Sequence, residues 1–307
     1  MLNEAIRVNH LLIKNRLVMP PMATEKSNSD GSISEAICSY YDEKSAGGHI
    51  GLIITEHCYI LQEGKASRGQ MSIDEHCDVG AIEKLTSVIH KNGSAVFCQI
   101  NHAGSHTKTE ITGHEVVGVR TVDQKKIVKA FADAARRAKD GGFDGVEIHS
   151  AHGYLLNQFY SPLGNAETEL EKRIQIHLDV INAVREAVGP DYPIALRLGA
   201  CDYMEGGSTI ADAVYACKKF EKAGVDLLDI TGGFCGFVRK DNKNPGWFGD
   251  ASEAIKANVQ IPVILTGGIT ERAQAEKLLK ENKADMIGVG RAILMDSRWA
   301  ENAMLGE

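Results

Sequence analysis

Two histidines and a tyrosine crowd the end of one apolar segment, Gly145-Val146-Glu147-Ile148-His149-Ser150-Ala151-His152-Gly153-Tyr154. Imidazole and phenol can between them hold a metal, move a proton or donate hydrogen bonds to an oxygen. Packing alone does not require three such groups so close together. Residues 146–148 read as a buried strand, so the polar cluster falls where a strand passes into a loop. In α/β proteins that is where active sites are assembled.

Other polar groups stand at comparable places. Gln99 closes an apolar run beside Asn101, His102 and His106; a neutral amide there suits either the edge of a heterocycle or loose backbone groups. Arg197 lies inside Ile194-Ala195-Leu196-Arg197-Leu198. A guanidinium in an apolar strand must be ion-paired or face an anionic ligand, because burying it alone is prohibitive. Thr266-Gly267-Gly268-Ile269 and Gly288-Val289-Gly290-Arg291 follow the last two apolar runs. Glycines at such turns bring backbone N–H groups close to an anion, and Arg291 supplies a charge partner. Read as the loops after the seventh and eighth strands of a barrel, they form a phosphate site. His149 and His152 with His102 and His106 could instead hold a metal. Only Glu147 stands near them as a further ligand, and no metal site is expected. Trp247 and Phe248, in a Gly/Asn-rich loop, read as a substrate-side lid or as a packing anchor.

The elements that must position these groups follow from the hydrophobic pattern. Short apolar runs recur at 17–19, 52–55, 95–100, 146–148, 194–198, 227–230, 263–265 and 286–289. Each is short enough for a strand and too continuous for a sheet with one wet face, so burial on both faces is implied. Amphipathic helical patterns fill the gaps. At 123–139, Ile127, Phe131, Ala134, Ala135 and Ala138 share one face; 210–222 stops at Gly224; a third pattern spans 271–280. Eight strand–helix units predict an α/β fold of the eight-stranded parallel (β/α)8 TIM-barrel type, as one domain over 1–307. A doubly wound sheet would place Gly-x-Gly-x-x-Gly after its first strand, where this chain has Pro20-Pro21-Met22-Ala23.

Composition bounds the function. With 43% hydrophobic and 24% charged residues and a net charge of −7, the chain has ample core material and no broad attraction to nucleic acid or anionic membrane. Its seven cysteines are scattered, without a Cys-x-x-Cys pair, as expected in a reducing cytoplasm. Residues 1–7 lack the apolar core of a signal peptide, and no run approaches the ~18 apolar residues of a membrane span. A cytoplasmic protein acting on small molecules is expected, with homo-oligomerisation left open.

Taken together, these residues resemble the old yellow enzyme family of FMN-dependent NAD(P)H oxidoreductases, in its short bacterial form. The likeness extends over most of the chain: Lys14-Asn15-Arg16-Leu17-Val18-Met19-Pro20-Pro21-Met22, Ile54-Thr55-Glu56, Gln99 with His102-Ala103-Gly104, Glu147 to Leu155 with Phe159-Tyr160-Ser161-Pro162, Arg197, Gly267-Gly268 and Gly290-Arg291. The resemblance implies an α/β barrel that binds FMN and is reduced by NADH or NADPH. It would then reduce the activated C=C bond of an enone or enal, or a similar acceptor. Pro21, Met22 and Ala23 would lay backbone against the flavin, Gln99 would bond its pyrimidine edge, and Arg197 would lie by N1 and O2. Gly267, Gly268, Gly290 and Arg291 would hold the phosphate. His149 and His152 would donate to the substrate carbonyl, and Tyr154 would protonate the α-carbon while flavin N5 gives hydride to the β-carbon.

The chain departs from the family pattern in four places. Ala23 stands where many members have cysteine or threonine. His57 stands where a small residue is usual, to crowd the flavin's O4 edge or bond to it. Residues 166–172 replace an Asp-x-Tyr-Gly-Gly-Ser loop. The sequence reaches Glu307 without the iron–sulfur and dinucleotide-binding extension of the long dienoyl-CoA reductases, which implies a single-cofactor enzyme. Two other readings stay open: a flavin-binding redox sensor with poor turnover, and a metal-dependent barrel hydrolase or lyase built on the histidine cluster.

Overall fold

The chain begins with an element that its apolar pattern did not announce. Two three-residue strands, β1 (Ile6–Val8) and β2 (Leu11–Ile13), pair antiparallel. Asn9 turns between them at φ 50°, a left-handed conformation that asparagine tolerates better than most residues. In the computed structural model, which describes residues 1–306, the eight apolar runs then follow as strands. They are β3 (Leu17–Met19), β4 (Leu52–Ile54), β6 (Ala95–Asn101), β7 (Gly145–Ser150), β8 (Ile194–Cys201), β9 (Leu227–Gly232), β10 (Val263–Thr266) and β11 (Met286–Gly288); a two-residue β5 (Cys58–Tyr59) lies along the end of β6. Neighbours pair in parallel in the order β3-β4-β6-β7-β8-β9-β10-β11, and β11 pairs back to β3, so the sheet closes into the expected barrel.

Alternate residues of each strand face the barrel axis. At the N-terminal end these are Val18, Leu52, Ile54, Phe97, Ala195, Leu227, Ile264 and Met286, which form one buried cluster with Val8 and Ile13 of the hairpin. The hairpin is therefore a stopper. Its strands are too short to be read from periodicity, yet their apolar residues complete the floor. Gly145 belongs to the same layer because a Cβ there would stand 2.6 Å from the Phe97 ring.

The outward-facing residues pack against helices. In the helix Gln124–Asp140, the Asp123 side chain accepts from the amides of Lys125 and Lys126, a cap that contributes about 1 kcal/mol. Ile127, Ala130, Phe131, Ala134, Ala135 and Ala138 form its buried stripe, and the small alanines let it lie close to the helix Leu170–Val188. The helix Ile210–Ala223 starts in a capping box made by Thr209 and Asp212 and stops at Gly224, whose φ of 110° suits glycine. The third expected helix runs Arg272–Lys280. Among the described residues no helix is long and apolar enough to cross a membrane. All seven cysteines are free thiols.

Candidate active site

One step of two residues along the strands changes the barrel interior from apolar to polar. Above Phe97, Ala195, Leu227 and Ile264 come Gln99, Arg197, Asp229 and Thr266, with Glu147 beside Gln99 in register. Gln99 Nε2 donates to Glu147 Oε2 at 2.6 Å, and Arg197 Nε stands 3.1 Å from Asp229 Oδ2. The arginine is thus ion-paired and also borders a cavity above it. Two acids share one cation here, and neither is solvent-exposed. Burial first, then repulsion from Asp229, pushes the Glu147 carboxyl up to about 8, against the pull of Arg197 and Gln99. Burial also raises Asp229, which Arg197 opposes. Glu147 is therefore the member that keeps its proton at neutral pH. Glu147 Oε1 has no hydrogen-bond partner, and Arg197 Nε and Asp229 Oδ2 meet as charges without hydrogen-bond alignment.

His149 is the next inward residue of β7, and it is 2% exposed. The chain then turns through His152 at φ 59° and Gly153 at φ 75° before Tyr154 caps the helix Leu155–Tyr160. Gly153 N donates to Asn157 Oδ1 at 2.8 Å, and Leu155 N to His102 O at 3.0 Å, which hold the turn in place. A left-handed non-glycine residue costs roughly 1–2 kcal/mol. Here that conformation brings the His152 ring back over the barrel mouth, 5.2 Å from the His149 ring, with Tyr154 5.3 Å from His149. Burial lowers both imidazole pKa values far below the usual histidine range, helped by the other histidines and Arg197, so both rings are neutral. His149 Nδ1 is buried without a partner, and an orphaned N–H costs more than an orphaned lone pair. The His149 proton therefore belongs on Nε2. His152 Nε2 lies 3.1 Å from Thr231 Oγ1; a hydroxyl donating there leaves Nδ1–H free. Burial raises the Tyr154 phenol, so it stays protonated.

These groups line a cavity of ≈ 570 Å³ at the C-terminal mouth, a size that suits a small cofactor with a substrate. The residues that the resemblance assigns to the flavin and the acceptor all line it, whereas His102 and Phe248 do not. Pro21, Met22 and Ala23 form one wall, and the next amide, Thr24 N, donates to Glu56 Oε2 at 2.6 Å, which pins that wall to the segment that follows β4. His57 adjoins Tyr154 at 5.4 Å between ring centroids. At the far end stand Gly267 (φ 141°), Gly268 (φ 66°), Gly290 and Arg291. A Cβ on Gly268 would come within 2.6 Å of the Trp247 ring, and the Arg291 guanidinium lies over that ring at 4.7 Å. Trp247 thus buttresses the glycine turn and orients the arginine, while Phe248 is fully buried in the core.

The four-histidine set does not assemble. His102 points away from the cavity and accepts from Gly104 N through Nδ1 at 3.0 Å, and His106 is an exposed rim residue. Among the described residues no group of three or more His, Cys, Asp or Glu is placed to hold a metal. Two rim residues escaped the sequence reading, Phe234 and Phe237, while His106, offered there as a metal ligand, stands on the rim instead. Phe237 is 66% exposed and meets His152 edge-on at 6.1 Å. The loop of Phe234 and Phe237 is tied down by Asp202, which accepts from Phe234 N at 2.7 Å and from the hydroxyls of Ser161 and Ser208. Such loop positions carry no periodic signal.

The lining fits FMN. Gln99 has its amide N–H on Glu147 and keeps Oε1 free as an acceptor. Arg197 borders the cavity while paired through Nε with Asp229, and Gly267 and Gly268 turn beside Arg291 at positive φ, where a Cβ would meet the Trp247 side chain.

Residues 2–306 match the model of the NADH:flavin oxidoreductase / NADH oxidase family. An NADH oxidase of Thermoanaerobacter brockii is 36% identical over 98% of this chain and 50% of its own length. A metal reductase of Desulforamulus reducens is 33% identical over 98% and 48%. An NADPH dehydrogenase of Geobacillus thermodenitrificans is 34% identical over 94% and 89%. The chain thus spans about half the length of the first two relatives and most of the third. Among solved structures, a complex of 2-naphthoyl-CoA reductase with 2-naphthoyl-CoA superposes with a TM-score of 0.92 at 25% identity, covering 100% of this chain and 52% of the other. The old yellow enzyme homologue of Zymomonas mobilis superposes at 0.86 and 23% identity, covering 99% and 92%.

Proposed function

The chain belongs to the NADH:flavin oxidoreductase / NADH oxidase family, and from that premise we propose that it is an FMN-dependent NAD(P)H oxidoreductase that reduces activated C=C bonds of enones, enals or similar acceptors. One observation carries the choice of acceptor. Two neutral imidazole donors and a protonated phenol converge on one cavity whose other end is a glycine–arginine cradle.

Bound FMN supplies the hydride, taken from NADH or NADPH and passed to the acceptor. The protein's residues do the rest. Gly267, Gly268, Gly290 and Arg291 hold the phosphate, with Trp247 behind them. The backbone of Pro21, Met22 and Ala23 forms the wall against the flavin, Gln99 Oε1 accepts from its edge, and Arg197 is the cation available to it from below. His149 and His152 hold the acceptor's oxygen through one N–H each, which polarises the conjugated double bond. Because both rings are neutral, they stay donors without giving up a proton. Tyr154 Oη, kept protonated by burial, delivers its proton to the α-carbon.

The test separates the two half-reactions in anaerobic stopped-flow. Tyr154→Phe is expected to leave flavin bleaching by NADPH within a few-fold and to slow reoxidation by 2-cyclohexenone about 10²–10⁴-fold. Equal loss in both would remove the proton-donor role. Dioxygen and a soluble ferric complex belong in the same acceptor series, because relatives bear the names NADH oxidase and metal reductase.

A further inference from the structure

His57 is the one imidazole of the cavity whose proton the surrounding side chains assign outright. Gln70 Oε1 accepts from Ala66 N at 2.6 Å, so the other end of that amide is Nε2, and it stands 2.6 Å from His57 Nδ1. The same nitrogen also donates to His57 O at 3.2 Å. An amide N–H facing Nδ1 makes that atom the acceptor, which puts the imidazole proton on Nε2. Burial lowers the His57 pKa to about 4, so the ring is neutral and keeps this tautomer at neutral pH. Nδ1 is held by Gln70, and the ring lines the cavity with its centroid 5.4 Å from that of Tyr154 and 6.3 Å from that of His149. Among the described residues nothing accepts from Nε2–H.

We propose that His57 is a third hydrogen-bond donor of the acceptor cavity, selecting acceptors whose head group carries two oxygen atoms over those with one. The assignment rests on the acceptor site proposed above. His149 and His152, 5.2 Å apart, suffice for one oxygen. His57 stands farther from His149 than His152 does and adjoins the proton-donating phenol instead. A second oxygen on the same head group, as in a nitro group, is what its N–H would take. An acceptor with a single carbonyl leaves that donor to the flavin's O4 edge, so the preference is set by how much better a second acceptor oxygen meets it.

Nitrobenzene and benzaldehyde share a phenyl body and differ in offering two oxygens or one. Their dissociation constants from the oxidised, FMN-loaded protein are read from the shift of the flavin absorption band. In His57→Leu, which keeps bulk and loses the donor, nitrobenzene affinity is expected to fall about five- to tenfold while benzaldehyde stays within twofold. His57→Gln, which restores an amide donor, is expected to recover part of the preference. Nitrogen-15 histidine NMR of the wild type should show His57 protonated at Nε2, and Gln70→Leu should yield a tautomer mixture with an intermediate ligand preference. Equal weakening of both ligands in His57→Leu, an unchanged ratio, or an Nδ1-protonated His57 each overturns the assignment. A wild-type flavin band that moves with neither ligand overturns the acceptor site itself, and His57's role with it.

Discussion

The two ends of the barrel interior are made by the same strands and obey opposite rules. At the N-terminal end Val18, Leu52, Phe97, Ala195, Leu227, Ile264 and Met286 present no polar atom, and the hairpin seals them from water. Two residues further along, the strands present Gln99, Arg197, Asp229 and Thr266, and several polar atoms there have no partner. His152 sits above them in a left-handed conformation. Close packing without orphans is how a core gains stability. Unmet polar atoms, two buried acids sharing one cation and backbone strain cost stability and leave binding capacity unused by the fold. The barrel divides the two tasks along its axis.

Substitutions at the two ends should therefore fail differently. The largest effect is expected at the floor. Phe97→Ala empties a fully buried ring position and should cost about 3–5 kcal/mol in urea unfolding, while folded protein keeps its FMN affinity. Loss of FMN without loss of stability would break the division.

Glu147→Gln should do the reverse and stabilise the protein above the carboxylate range. Below about pH 4.5 the folded and unfolded chains both hold the Glu147 proton. As pH rises, the unfolded chain releases it first, so the wild type loses stability until the folded group also ionises near pH 8. The gap between Gln and wild-type unfolding midpoints should widen from pH 5 to pH 8, by on the order of a few kcal/mol, and then level off. A constant gap would contradict the raised carboxyl.

His152→Gly sharpens the comparison at one residue. Relief of the left-handed backbone is worth roughly 1–2 kcal/mol and the extra glycine entropy costs about 0.5–1, so a net gain near 0.5–1 kcal/mol is expected. Acceptor turnover should fall at least about tenfold at the same time. The smallest effect is reserved for Thr231→Val, which removes the hydroxyl on His152 Nε2. Stability should barely change, and kcat/KM for an enone should drop about fivefold as the tautomer loosens. Unfolding midpoints and steady-state rates on the same preparations check both.

How much of this was legible follows from the same axis. The eight strands and their closure could be read because strands buried on both faces leave continuous apolar runs. Arg197 and Gln99 stood out as polar breaks in such runs, and the glycine turns stood out by composition. Asp229 did not, because a single acid inside 227–230 passes as a minor interruption, and only the register shows that it faces Arg197. The hairpin escaped because three residues are too few to show a period. Phe234 and Phe237 escaped because loop residues are placed by tertiary ties such as the one to Asp202. The Gln70–His57 contact joins residues thirteen positions apart across a turn, where no pattern points from one to the other.

On the proposed function, the mouth of this barrel holds FMN and passes electrons to a polarised acceptor. An anaerobic titration of the FMN-loaded protein tests it most directly, with one equivalent of NADPH followed by one equivalent of 2-cyclohexenone, recorded as the flavin absorption spectrum. The band should bleach with NADPH and return fully with the enone, leaving one equivalent of cyclohexanone. A protein that takes up no FMN, or a bleached band that the enone does not restore, would contradict it.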